Sequence, residues 1–283
     1  MSDQMEGRTC IITGANSGIG KRIALALTKK GARVVMLCRS RERGKKARKE
    51  ILTEVPDGAV ELMLADLSKL SEVREFVEEF KSKHDYLHVL INNAGIYLSS
   101  YDETEDGFAR MMAINHFSPF LLTMLLLPML KKSAPSRIIN VNSGLHKRAK
   151  LSAEDMDNIA KWKQTGMKGY GMSKFVNLLT IYQLAERLEG TGVTINAACP
   201  GMVKTGIARH SLGARIFWKL IGPFIKSAEE GADPIIHLAT SPEVEGISGE
   251  YFDRFEISES SALSHDEELQ DRAWEKSVQL TNP

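Results

Sequence analysis

Short, nearly continuous apolar runs alternate along this chain with longer amphipathic ones. Arg8–Thr13 (RTCIIT), Arg33–Cys38 (RVVMLC), Val60–Leu64, Leu87–Ile91 (LHVLI), Arg137–Asn142 (RIINVN) and Val193–Cys199 (VTINAAC) are rich in β-forming residues. Such runs predict strands buried on both faces. Gly18–Lys30 sets Ile19, Ile23 and Leu27 on one helical face and stops at Gly31. Helices are also predicted over Arg41–Glu54, Ser71–Lys83, Glu105–Leu130 (bent near Pro119), Met172–Leu188 and Asp266–Leu280, with a last short strand at Tyr251–Phe252. Strands alternating with helices predict an α/β fold: a doubly wound parallel sheet with helices on both faces and right-handed crossovers. No linker or repeat divides the chain, so residues 1–283 are expected to form a single domain.

Composition narrows the picture by exclusion. The 283 residues carry 37 basic and 36 acidic side chains, a net charge of +1, which gives no field for nucleic acid. Cys10, Cys38 and Cys199 each lie in a strand-like run without metal-type spacing. They read as small buried hydrophobes in a reducing, cytoplasmic compartment. His84, His88, His116, His146 and His210 form no ligand pattern, so no metal is expected. His146 has two readings, a substrate contact or a solvated loop residue, of which the second is preferred. The opening MSDQMEGR is polar, and no signal peptide or anchor is expected there. Phe117–Leu130 is the most apolar stretch. It falls short of the about 20 residues a bilayer span needs and contains Pro119 and Pro128. It is expected to be a core helix.

The first candidate chemistry follows the first strand. Thr13-Gly14-Ala15-Asn16-Ser17-Gly18-Ile19-Gly20 has the spacing G-x-x-x-G-x-G. Glycines there permit a tight strand-to-helix turn, close approach of backbone to a pyrophosphate, and close helix packing. A phosphate would sit at the positive end of the helix. This is the arrangement of a Rossmann-type dinucleotide site. The second strand ends in Cys38-Arg39-Ser40-Arg41, without the carboxylate that would hold an unphosphorylated ribose. A guanidinium at Arg39 could clamp a 2′-phosphate. The expected cofactor is therefore NADP(H) in preference to NAD(H). The competing reading makes Arg39 and Arg41 the start of a solvated basic helix continuing through Lys45, Lys46, Arg48 and Lys49.

A carbonyl reduction needs a proton donor and a group that polarises the oxygen. Tyr170 and Lys174, four residues apart, fall on one helical face. A free phenol titrates near about 10, too high for acid–base work at neutrality, and a neighbouring ammonium would lower it. Ser143 follows the fifth strand at its carboxyl end, where it could hold a substrate oxygen. Taken singly, each also fits a bland role: a chance pair at helical spacing for Tyr170 and Lys174, a turn or cap before Gly144 for Ser143.

Together these motifs resemble the classical short-chain dehydrogenase/reductases, in particular the retinol-dehydrogenase-like branch. The resemblance covers essentially the whole chain. It rests on TGANSGIG at 13–20, NNAG at 92–95, Asn115, Ser143, Tyr170-x-x-x-Lys174 and Pro200-Gly201, with branch phrases such as VVMLCRS, LHVLINNAG and RIINVNSGLHKRAKL. One departure is Asn142-Ser143 where Ser-Ser is common; the second serine is the catalytic one.

The resemblance implies catalytic roles for Asn115, Ser143, Tyr170 and Lys174. Asn115 would support a water-borne proton relay to Lys174, which would also bind the nicotinamide ribose. Cofactor contacts are implied for Gly14, Asn16, Ser17, Gly18, Ile19 and Gly20, for Asp66 and Leu67 beside the adenine, and for Asn93, Ala94 and Gly95. Pro200, Gly201, Val203 and Thr205 would line the nicotinamide and diphosphate. Asp66 also reads as a helix N-cap. The implied partner is a hydrophobic aldehyde, ketone or alcohol, including retinoid-like molecules, so that the chain is expected to be an NADP(H)-dependent oxidoreductase or carbonyl reductase. The alternative is a catalytically weak dinucleotide-binding regulator. Homodimers or homotetramers packed through the Glu105–Leu130 and Met172–Leu188 helices are implied. The apolar stretch 206–227 reads as a substrate lid, a subunit contact or a surface resting on a membrane.

Overall fold

The computed structural model describes residues 4–201 and 227–283. Their strands form one sheet in the order β3-β2-β1-β4-β5-β6-β7-β8. These are β1 (Thr9–Thr13), β2 (Arg33–Cys38), β3 (Val60–Leu64), β4 (Val89–Asn92), β5 (Ser136–Val141), β6 (Val193–Cys199), β7 (Tyr251–Asp253) and β8 (Glu256–Ile257). Every neighbouring pair is parallel except the antiparallel β7–β8 edge. The helices are α1 (Gly18–Lys29), α2 (Arg41–Glu54), α3 (Leu70–Lys83), α4 (Arg110–Met112), α5 (Ser118–Lys132), α6 (Gly166–Arg187), α7 (Ala228–Thr240) and α8 (Glu267–Thr281).

Alternation along each strand divides the core in two. Ile11, Val35, Leu37, Leu90, Ile138 and Ile195 join the apolar residues of α3, α5, α6 and α8. Cys10, Ile12, Val34, Met36, Val89, Ile91 and Ile139 join those of α1, α2 and α7. The predicted doubly wound sheet is therefore observed. Its strand order reverses between β1 and β4, which opens a crevice at the carboxyl ends of those strands.

Three elements differ from the sequence reading, each for a local reason. The helix expected from Glu105 begins at Arg110. Gly107 has φ +77°, and Thr104 N–H donates to the Phe108 carbonyl at 2.8 Å, so a tight turn occupies 104–108. Between α4 and α5 runs a π-turn, Ala113–Phe117. Pro119 has no N–H for the carbonyl four residues back, and the wider turn accommodates this within the helix. The helix expected from Met172 begins at Gly166. Gly169 and Gly171 weaken helix propensity but are needed for contact: a Cβ at Gly169 would lie 2.1 Å from the Gln164 carbonyl oxygen, and one at Gly171 2.6 Å from that of Leu145. Neither the limits of α7 nor the strand β8 follows from the apolar pattern. A capping box, Ser227 with Glu230, marks the start of α7.

The Phe117–Leu130 stretch is core, as expected: Phe117, Leu121, Leu122, Leu126 and Leu130 are inaccessible. Among the described residues, one helix, Arg110–Lys132, is long and apolar enough to cross a membrane, and 78% of that apolar window is buried. The three cysteines are free and buried. Burial pushes the Cys10 and Cys38 thiols up to about 12.

Candidate active site

The glycine turn lies where β1 meets α1, at the reversal of strand order. Gly14 and Gly18 have φ +68° and +54°, values that favour residues without a Cβ. Gly20 serves closeness instead: a Cβ there would lie 2.5 Å from Asn93 Nδ2 and 2.6 Å from the Gly14 carbonyl oxygen. Ser17 is the N-cap of α1, yet its side chain makes no capping bond. The hydroxyl and the first N–H groups of α1 are thus placed for an anion. Asn16 is half-buried, and Ile19 is buried in the first turn of the helix.

The β4 end locks onto this turn. Asn93 Nδ2 donates to the Thr13 carbonyl at 2.8 Å, and Ala94 N–H to Thr13 Oγ1 at 2.8 Å. Gly95 abuts the catalytic side: a Cβ there would meet Asn115 Oδ1 at 3.4 Å and Lys174 Nζ at 3.6 Å.

Arg39 follows β2 and precedes the Ser40 cap of α2, so it is not part of the basic helix. Lys45, Lys46, Arg48 and Lys49 are exposed on that helix. The Arg39 side chain is 60% exposed, and its guanidinium lies 3.8 Å from Asp66 Oδ2. Asp66 is not the N-cap of α3; Lys69 is. Asp66 Oδ1 instead accepts from Ser68 N–H and Oγ, both at 2.9 Å. The Leu67 carbonyl accepts from Ser118 Oγ.

Asn115, Ser143, and the pair Tyr170 and Lys174 are carried by the π-turn, the loop after β5, and α6 respectively. Asn115 Oδ1 accepts from Ile96 N–H at 2.8 Å. Its Nδ2 donates to the Ile96 carbonyl at 3.0 Å and to Ser173 Oγ at 2.9 Å. Lys174 is 3% exposed and its Nζ donates to the Val141 carbonyl at 2.7 Å. Burial brings the ammonium down to about 8. The same Nζ lies 5.8 Å from the Tyr170 ring centroid. Burial, with the Cys199 thiol adding to it, holds the Tyr170 phenol above its ordinary range. The lowering expected from Lys174 is not seen; its ammonium donates to the Val141 carbonyl.

Ser143 is held through its neighbours. Asn142 Nδ2 donates to the Lys174 carbonyl at 3.0 Å, and Asn142 Oδ1 accepts from Ser143 N–H at 2.7 Å. The departure at Asn142 thus links the serine to the lysine-bearing helix. Ser143 Oγ accepts from Leu145 N–H at 3.3 Å, which leaves its own proton for a substrate oxygen.

His146 departs from expectation. It is fully buried, not solvated. Its Nδ1 lies 2.8 Å from the Ser143 carbonyl, and its ring meets Tyr251 edge-on at 4.7 Å. The burial was not legible in the sequence, because the ring packs against Tyr251 on β7. Pro200 is buried, and Gly201 has φ +78°. Val203, Thr205 and positions 206–226 of the expected lid lie outside the described residues. Among the described residues no group of histidines, cysteines and carboxylates could hold a metal.

A family model described as short chain dehydrogenase matches residues 8–154. Retinol dehydrogenase 12 of Homo sapiens is 39% identical over 277 residues, covering 98% of this chain and 87% of the relative. Retinol dehydrogenase 14 of Mus musculus is 41% identical over 285 residues, covering 96% and 85%. A solved structure from Mycobacterium paratuberculosis, titled as uncharacterized, superposes with a TM-score of 0.78 at 30% identity, covering 98% of this chain and 94% of its own.

Proposed function

This chain belongs to the short-chain dehydrogenase family and is retinol-dehydrogenase-like, and from that premise we propose that it transfers hydride between NADP(H) and a carbonyl or alcohol on a hydrophobic small molecule. The observation that carries the proposal is that Gly95, next to the residues locked onto the β1–α1 turn, abuts both Asn115 and Lys174, while Asn142 joins Ser143 to the Lys174 carbonyl and Lys174 Nζ lies 5.8 Å from the Tyr170 ring centroid. Bound nicotinamide would supply the hydride. Ser143 donates a hydrogen bond to the substrate oxygen, and Tyr170 delivers the proton. Lys174 would bind the nicotinamide ribose, and Asn115, held against Ile96 and Ser173, would support a water-borne proton relay to Lys174.

The residues present fit a dinucleotide. The close approaches at Gly14 and Gly20 and the uncapped start of α1 suit a pyrophosphate. The exposed Arg39, carried outside the basic helix, supports the phosphorylated cofactor. Asp66, within reach of Arg39, is proposed for the adenine. Asn16, Ser17, Gly18, Ile19, Leu67, Asn93, Ala94, Pro200 and Gly201 complete the proposed contacts. The names of the relatives support retinoid-like or other apolar alcohols and aldehydes as substrates. Buried free cysteines support a reducing compartment. We read the chain as one domain. In a homodimer the contact would fall on the half-exposed Met124, Leu125 and Leu127 of α5, because α6 is buried from Gly171 to Ile181 in the single chain.

The test is Tyr170→Phe, assayed by NADPH oxidation with a panel of apolar aldehydes and ketones. Turnover should fall about 10²- to 10⁴-fold with NADPH affinity unchanged. Full turnover in the variant would sink the mechanism. NADPH binding by the natural protein without turnover on any substrate would favour a regulatory binding protein instead.

A further inference from the structure

The surroundings of His146 fix the proton on its Nδ1. Its Nδ1 faces the Ser143 carbonyl oxygen at 2.8 Å, and a carbonyl can only accept. Nδ1 therefore carries the hydrogen. In the neutral ring Nε2 is then a bare acceptor, and among the described residues it is buried without a partner. Burial lowers the basicity of this imidazole and outweighs the Ser143 hydrogen bond, which raises it; the neighbouring Lys147 ammonium adds to the lowering. The ring cannot turn freely, because it packs edge-on against Tyr251.

The position of this ring matters because of what it grips. The Ser143 carbonyl receives two hydrogen bonds from the same residue: His146 N–H at 3.0 Å and His146 Nδ1–H at 2.8 Å. Ser143 N–H is taken by Asn142 Oδ1. Both backbone groups of the serine are thus fixed, one through Asn142 to α6 and the other through His146 to Tyr251 on β7. The serine hydroxyl is the part left to meet substrate.

We propose that His146 is a positioning residue for Ser143, clamping the serine carbonyl with its Nδ1–H and tying the serine loop to β7. The proposal rests on the hydride-transfer reading above for its catalytic consequence, but its geometry does not. His146→Phe keeps a ring against Tyr251 and removes the donor. His146→Asn restores a short side-chain N–H at nearly the same place.

The expected results separate donor from bulk. His146→Phe should lower kcat about 10- to 100-fold, the order of effect that a misplaced reacting group produces. KM for NADPH and the melting temperature should barely move. His146→Asn should recover most of the lost kcat. Two readings are independent of turnover. Nitrogen-15 NMR of the natural protein should show a neutral, Nδ1-protonated ring at pH 7. Hydrogen exchange over residues 142–148 should quicken in His146→Phe and not in His146→Asn. An Nε2-protonated ring, or unchanged exchange in His146→Phe, overturns the clamp even if the protein proves inactive. Equal kcat in His146→Phe and the natural enzyme overturns it in an active one. Absence of turnover in the natural protein counts against the hydride-transfer reading alone.

Discussion

Between Thr13 and Gly20 the candidate cofactor turn is assembled from eight consecutive residues, mostly through backbone conformation. The candidate catalytic cluster is assembled from side chains on the π-turn, the β5 loop and α6, held by bonds between distant residues. Local geometry fixes the first; tertiary packing fixes the second. The difference predicts how each should fail. Damage to the turn should appear as weakened dinucleotide binding with the chemical step intact. Damage to the cluster should appear in kcat with binding intact.

The sharpest separation comes from Ser143→Ala. It should lower kcat by about 10²- to 10³-fold, as loss of one donor to a developing oxyanion does elsewhere, while a fluorescence titration shows the same NADPH affinity. A large loss of affinity would mean that the two regions are not separable. Gly20→Ala tests the opposite side. Its Cβ would collide with Asn93 Nδ2 and the Gly14 carbonyl, so dissociation constants for NADPH and NADH should both rise, by up to about a hundredfold. An unchanged affinity would show that the close approach at Gly20 is not used by cofactor.

Arg39→Asp subdivides the cofactor region. NADPH should weaken at least about tenfold and NADH much less, since only one carries the 2′-phosphate. Equal effects would remove Arg39 from phosphate recognition. The smallest expected effect is in the pH profile. Lys174, lowered by burial to about 8, is charged below that value and loses its proton above it. For carbonyl reduction, kcat/KM should be level below about pH 8 and fall at most about tenfold per pH unit above it. A profile flat to pH 10 would show that the charge on Lys174 is not required.

The comparison also explains what could be read in advance. The strands were legible because a parallel sheet covered on both faces demands continuous apolar runs, as in Arg33–Cys38. The start of α6 was not, because Gly169 and Gly171 look like helix breakers until Gln164 and Leu145 are seen against them. Tyr170 and Lys174 were found from their spacing, but not the direction of the Lys174 ammonium toward Val141. Asn142 looked like a mere departure from Ser-Ser. In the fold it is the link between Ser143 and Lys174.

By itself the sequence determined the sheet and the glycine turn, since apolar period and glycine spacing are local properties, and its motifs named Asn115, Ser143, Tyr170 and Lys174 as candidates through the family resemblance. Only the tertiary structure decided that His146 is buried rather than solvated, that Lys174 donates to a β5 carbonyl, and that the Tyr170 phenol is raised rather than lowered. Each of these depends on which atoms desolvate or pair with a group from elsewhere in the chain. Hydrogen-bond partners and protonation follow that three-dimensional surrounding, and the order of residues does not contain it in readable form.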